Sequence, residues 1–142
     1  MALDGVALAF DYGGRRIGVA VGQAITGTAT PLAVVSNGPQ GPNWVEIDKL
    51  VKSWMPKALV VGLPITETGE DQPMTRASRA FGVELGARYQ LPVHHQDERF
   101  SSRESEAEFK RLRQTGMARK KDAAMLDAAA AKRILERWLA GV

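Results

Sequence analysis

The sequence predicts an α/β domain built on a five-stranded mixed sheet with helices on both faces. Three observations carry this. The first 35 residues hold three β-rich runs separated only by turns. Ala58 to Leu63 is a continuous apolar run of strand length, as suits a strand buried on both faces. Stretches of helical periodicity then alternate with strands. The length of 142 residues suits a single domain, residues 1–142, with one sizeable core.

Val6 to Tyr12 and Ile17 to Gly22 read as two strands, with Gly13, Gly14 and Arg15 supplying hairpin turn chemistry between them. Thr26 to Val35 is a third strand, in which Pro31 argues for an edge or a bulge. Ser36 to Asn43, rich in Gly and Pro, reads as a loop. Trp44 to Trp54 is an amphipathic helix, since Trp44, Ile47, Val51 and Trp54 recur near helical period, and Pro56 stops it. After the strand Ala58 to Leu63 come a polar loop to Gln72, a helix from Met74 to Tyr89 and a short strand from Leu91 to Gln96. Ser102 to Arg113 and Ala118 to Leu139 read as the closing helices. The three tryptophans all fall on helices and are expected in the core, with the chain a monomer.

Composition narrows the function. There is no cysteine, so disulfides and thiolate metal sites are excluded. Adjacent His94 and His95 face opposite ways on a strand and do not suit one zinc ion. The N-terminus lacks the basic region of a signal peptide, and no apolar run approaches the ~20 residues of a membrane span. A cytoplasmic protein without membrane contact is expected.

Three acidic positions stand out. Asp11 ends an apolar strand, and the Gly13–Gly14 turn beside it leaves room for a phosphate or another backbone. A carboxylate satisfying turn amides is the plain alternative. Asp97 and Glu98 lie where a strand ends, the place ligands favour in open α/β sheets. Ser101 and Glu104 match a capping box, which accounts for neither Asp97 nor Glu98. Alternation on a strand means that only one of the pair reaches a given site. Asp127 lies in the last helix. At about 100° per residue, Ala131, Ile134 and Trp138 fall within roughly 40° of it, and Asp122 falls roughly 140° away. Asp127 thus shares the apolar stripe, where a carboxylate needs a metal ion or an arginine partner. The alanines around it let this helix approach the sheet closely. Asp11, Asp127 and Glu98 or Asp97 make a workable oxygen-ligand set for one or two Mg²⁺ or Mn²⁺ ions.

Charge adds a second feature. The net charge is only +3, yet Lys110, Arg111, Arg113, Arg119, Lys120 and Lys121 crowd into twelve residues with no acid among them. Such a run is either a solvated face or a phosphate-contacting arm. It leads directly into the helix that carries Asp127, which favours the arm. Arg15 and Arg16 add to the same field. Aromatic residues, at 6%, show no stacking pattern for base reading.

Five segments together resemble one family: AFDYGGRRIGVAVG at Ala9 to Gly22, TGTATPL at Thr26 to Leu32, VVGLP at Val60 to Pro64, DERFSS at Asp97 to Ser102, and the helix around LDAAAA at Leu126 to Ala131. Each is weak alone; their order and the total length are specific, and they span essentially the whole chain. The family is YqgF, also called RuvX or Holliday junction resolvase-like proteins, in the RNase H-like superfamily. The resemblance implies an RNase H-like fold and a metal-dependent nuclease that processes the 5′ end of the 16S rRNA precursor, with a link to Holliday junction cleavage. It carries over Asp11, the pair Asp97/Glu98 and Asp127 as the site acids, and places Arg16 and Arg99 near the phosphate.

Two departures are visible. The loop after VVGLP carries Thr68–Gly69 where the family usually has Asp before Gly, although Asp71 is near. Related resolvases also carry an acid on the strand matching Ala58 to Leu63, and this strand has none. Asp97 or Glu98 would then stand in. The expected function is a Mg²⁺- or Mn²⁺-dependent nuclease acting on structured RNA at the assembling ribosome. A non-catalytic nucleic-acid or ribosome-assembly module is the alternative, as is a resolvase of branched DNA. An actin-like ATPase, suggested by the glycines after Asp11, is a third reading, but it needs two such domains around a nucleotide, for which 142 residues are too few.

Overall fold

The structure is a computed structural model that describes residues 5–98 and 120–141, with side chains of the last helix from Met125 onward. Its strands are β1 (Val6–Tyr12), β2 (Arg16–Gln23), β3 (Thr28–Gly38), β4 (Gly41–Pro42), β5 (Ala58–Leu63) and β6 (Val93–Asp97). Its helices are α1 (Trp44–Trp54), α2 (Pro73–Tyr89) and α3 (Lys120–Ala140). The expected helix over 102–113 lies outside the described residues, as do Arg99, Lys110, Arg111, Arg113 and Arg119.

The strands form one mixed sheet in the order β4-β3-β2-β1-β5-β6. The first four run antiparallel in succession, whereas β5 lies parallel to β1 and β6 parallel to β5. The sheet thus has six strands rather than five. The extra strand comes from the segment expected as a loop: β3 continues to Gly38 and pairs with the two-residue β4. The turn between them needs Gly41 at a φ of 96°, a conformation glycine adopts without strain. The bulge expected at Pro31 is present, since Val19 pairs with Ala33 but the next residue, Ala20, pairs with Pro31.

Alternation along the strands sorts the core into two unlike layers. Leu8, Phe10, Ile17, Val19, Leu59 and Val61 point to one face and bury against Ile47 of α1 and Phe81 and Leu85 of α2. The other face presents Ala7, Ala9, Ala20, Ala29 and Val60 to Ala131, Ile134, Leu135 and Leu139 of α3. One layer is therefore built from large side chains, while the other lets α3 lie close to the sheet. On the bulky side the Phe81 ring meets Phe10 edge-on at 5.6 Å and Tyr12 at 4.8 Å.

Local signals set the helix ends. The side chain of Asn43 accepts from the Glu46 amide at the start of α1, and Met55 closes it in the left-handed conformation with Pro56 following. Gln72 and Thr75 form a reciprocal capping box at the start of α2. Asp48 of α1 takes a two-pronged ion pair from Arg88 and a hydrogen bond from the Tyr89 hydroxyl of α2, joining the helices away from the sheet.

Trp54 departs from its expected place in the core: it is 40% exposed. As the last residue of α1 it walls an open groove of about 400 Å³, floored by Val6, Val21 and Leu32 and edged by Thr28 and Thr30. No helix among the described residues is long and apolar enough to cross a membrane.

Candidate active site

The site is assembled on the α3 face of the sheet. Asp11 shares the parity of Ala7 and Ala9, so its carboxylate emerges on the side of α3 near the carboxyl end of β1, while Phe10 and Tyr12 root the strand in the opposite layer. Directly across the ladder from Asp11 stands Gly18. A β-carbon on Gly18 would come 2.0 Å from the backbone carbonyl oxygen of Asp127, so only glycine admits α3 at this crossing. One pair of facing residues, Asp11 and Gly18, thereby brings strand and helix acids into one neighbourhood.

Glu98 follows β6, and its amide donates to the Leu63 carbonyl at 2.9 Å. Its carboxyl lies over Gly62 of β5, where a β-carbon would sit 2.7 Å from the Glu98 carboxyl carbon. The strand without an acid therefore provides the vacancy that an acid from the next strand fills. Asp97 pairs with Leu63, so by strand alternation it has the opposite parity to Glu98. Of the adjacent acids, Glu98 is the one on the side of Asp11. The histidines divide in the same way: His94 stacks on Trp138 of α3 at 5.0 Å, and the His95 ring lies against Gly82 of α2.

The electrostatics report the grouping. Asp11 is raised to about 6, chiefly by loss of hydration and then by the charge of Asp127. Glu98 is raised to about 8 by loss of hydration and by the charges of Asp11 and Asp97, with Arg137 opposing. The two carboxyls therefore titrate as an interacting pair.

Asp127 is held differently. Its Oδ2 accepts a hydrogen bond from Arg16 Nε at 2.5 Å, in a half-exposed ion pair. As expected from its place on the helix, Ala131 and Ile134 on the same stripe are fully buried. An all-carboxylate donor set suits a hard divalent cation. Among the described residues, however, no three acidic or histidine donors stand together closely enough to hold one.

Loops around the site are tied by buried polar residues that periodicity does not reveal. Asn37, only 4% exposed, donates through Nδ2 to the Gly13 carbonyl at 2.6 Å and through its amide to the Arg15 carbonyl at 2.8 Å. These bonds fix the β1–β2 turn beside Asp11. The buried Thr75 hydroxyl donates to the Pro64 carbonyl at 2.5 Å and anchors the loop after β5. In that loop Asp71 is taken up by an ion pair to Arg79. Arg137, whose charge reaches Glu98, is also absent from the expected site; only the path of α3 over Gly62 reveals it. Lys120 and Lys121 begin α3, but their side chains lie outside the described residues.

A mixed sheet with antiparallel β1–β3, parallel β5 and β6, and a helix laid over the strand that bears the first acid defines an RNase H-like domain. Two solved structures share the fold. The RuvC of T. thermophilus in complex with a Holliday junction substrate superposes with a TM-score of 0.55 at 16% identity, covering 97% of this chain and 95% of that one. A second Thermus thermophilus RuvC structure gives 0.51 at 17% identity, covering 96% of this chain and 95% of that one. Within this class the chain belongs to the RuvX family, whose model, described as Holliday junction resolvase, matches residues 5–141. Among curated relatives, the "Putative pre-16S rRNA nuclease" of Xanthomonas euvesicatoria pv. vesicatoria is 50% identical over 137 residues, covering 96% of this chain and 88% of the relative. The protein of the same description from Xylella fastidiosa is 47% identical over the same shares of the two chains.

Proposed function

We propose that this chain is a divalent-cation-dependent nuclease that hydrolyses phosphodiester bonds in structured RNA, with the 5′ end of the 16S rRNA precursor on the assembling ribosome as its substrate. The observation that carries the reading is the pair Asp11 and Glu98: two carboxyls on one face, partly stripped of water, each raised by burial and Glu98 further by the charge of Asp11. Acids kept against their own repulsion at strand ends are costly unless a cation or proton transfer uses them. The names of relatives near 50% identity support the substrate class.

Asp11 and Glu98 would hold the cation, with Asp127 as the third donor. When bound, Mg²⁺ or Mn²⁺ supplies charge neutralisation at the phosphodiester and activation of a water molecule. The protein's part is positioning. The β1 ladder and the aromatic packing behind it fix Asp11, and Gly62 makes room for Glu98. Arg16, Arg99 and the basic run Lys110, Arg111, Arg113, Arg119, Lys120 and Lys121 would hold the phosphate backbone.

The test is cleavage of a precursor-rRNA 5′ leader and of a four-way DNA junction, with Mg²⁺, Mn²⁺ or EDTA. Wild type is to be compared with Asp11→Asn and Asp127→Asn. Cation-dependent cutting of the RNA, lost in Asp11→Asn, is the expected result. Preferential cutting of the junction would reassign the substrate to branched DNA. Cleavage unchanged in both variants would overturn the assignment of the site. One observation favours a second reading, a binding module without catalysis: Asp127 is already neutralised by Arg16. That reading predicts salt-sensitive RNA binding, no cutting, and indifference to both substitutions.

A further inference from the structure

The three acids are not equivalent. Asp11 and Glu98 repel one another, whereas Asp127 already has a cation beside it in the Arg16 guanidinium. The backbones of this ion pair are fixed. Arg16 stands in the β2 ladder opposite Ser36, and the carbonyl of Asp127 is seated on Gly18. The side chains, by contrast, reach solvent: that of Arg16 is 43% exposed and that of Asp127 28%, and neither belongs to the buried core.

We propose that Arg16 is an internal occupant of the cation site, a latch that holds the Asp127 carboxylate out of the donor set until a divalent cation displaces it. The latch accounts for a conflict in the geometry: three acids share one neighbourhood, yet no three donors converge among the described residues. Asp127 lies over Gly18, the ladder partner of Asp11, so its carboxylate, turned away from Arg16, would be the third donor of the set. The same exchange frees a guanidinium at the rim of the site, and a guanidinium is a planar donor suited to two phosphate oxygens. Cation loading and substrate capture would then be one exchange of partners, with Arg16 as a positioning residue. This rests on the proposed cation site, and the experiment separates the two.

Mn²⁺ binding is to be measured by calorimetry on the whole chain, without nucleic acid. The variants are Arg16→Gln, Arg15→Gln, Asp127→Asn, Asp11→Asn and the double variant Arg16→Gln/Asp127→Asn. The latch predicts that Arg16→Gln binds Mn²⁺ about three- to fivefold more tightly, the factor expected from releasing an exposed ion pair. Arg15→Gln, which removes the same charge one residue away, must leave affinity within about a factor of 1.5, as expected for a screened surface charge. The gain from Arg16→Gln must vanish in the Asp127→Asn background, because the competition acts through that carboxylate. Mn²⁺ binding lost in Asp11→Asn but no tighter in Arg16→Gln, or a gain that persists without Asp127, overturns the latch and leaves the cation site standing. No Mn²⁺ binding by any form overturns the cation site and the latch with it.

Discussion

Gly18 lies beneath the backbone carbonyl of Asp127, and a β-carbon there would come 2.0 Å from that oxygen. The atom it meets is backbone, so no rotamer change relieves the contact. Gly18→Ala is expected to lift α3 from β2 and destabilise the chain by about 1–3 kcal/mol, the range for overpacking a close contact. Urea unfolding measures this, and a midpoint equal to wild type would show that α3 does not approach β2 as described.

Gly62 makes the opposite case. A β-carbon there meets the Ile134 Cδ1 at 2.5 Å and the Glu98 carboxyl at 2.7 Å, both far ends of flexible side chains. Gly62→Ala is therefore expected to displace Glu98 while the fold persists. Cleavage should fall by at least tenfold, the loss set by a displacement of about 1 Å at a site group. The change in unfolding midpoint should be smaller than for Gly18→Ala. Full activity in this variant would mean that the carboxyl of Glu98 is not needed over β5.

The raised carboxyls make stability depend on pH in a defined direction. Glu98 moves from an ordinary 4.5 to about 8 on folding, so between these values the folded chain retains a proton that the unfolded chain has released. The stability it contributes is fully present below 4.5 and is lost as pH rises through about 8. Glu98→Gln removes this dependence. Its melting temperature, relative to wild type, should therefore rise between pH 5 and pH 8.5 in the absence of divalent cations; a constant difference would place Glu98 in water.

At the helix pair the sign reverses. Asp48 is held down to about 2 from 3.8, first by the Arg88 hydrogen bond and then by Tyr89. Its contribution is present above 3.8 and is lost as pH falls through about 2. Asp48→Asn should lower the melting temperature at pH 7, with the deficit shrinking in acid, and should leave cleavage unchanged. A deficit that is the same at pH 7 and pH 2.5 would show that the ion pair with Arg88 does not contribute.

The elements with the plainest local signals were legible to the residue. β1, α1 and β5 have the bounds that an apolar run ending at a glycine turn, helical period and a continuous apolar run predict. The placement of Asp127 also followed from period alone, because its stripe holds only small and apolar neighbours. What stayed hidden depends on partners distant in sequence. β4 is two residues long and exists only through its pairing with Asn37 and Gly38. The choice between Asp97 and Glu98 needed the register of β6 against β5, which a single strand does not contain. Gly18 and Gly62 look like ordinary strand glycines until the helix and the carboxyl that lie over them are known. The Arg16–Asp127 pair spans 111 positions, beyond any local pattern.

The alternation of β1 also has a mechanical consequence. Tyr12 and Phe10 clamp the strand against Phe81 from behind, while Asp11 between them faces the other way. The carboxylate is thus the free end of a short lever whose fulcrum is a ring cluster on the far side of the sheet. The direction of the Asp11 carboxylate is inherited from ring packing on the opposite side of the sheet. Loosening that fulcrum would blur the aim of Asp11 well before the chain unfolds, so loss of function on warming can precede loss of structure.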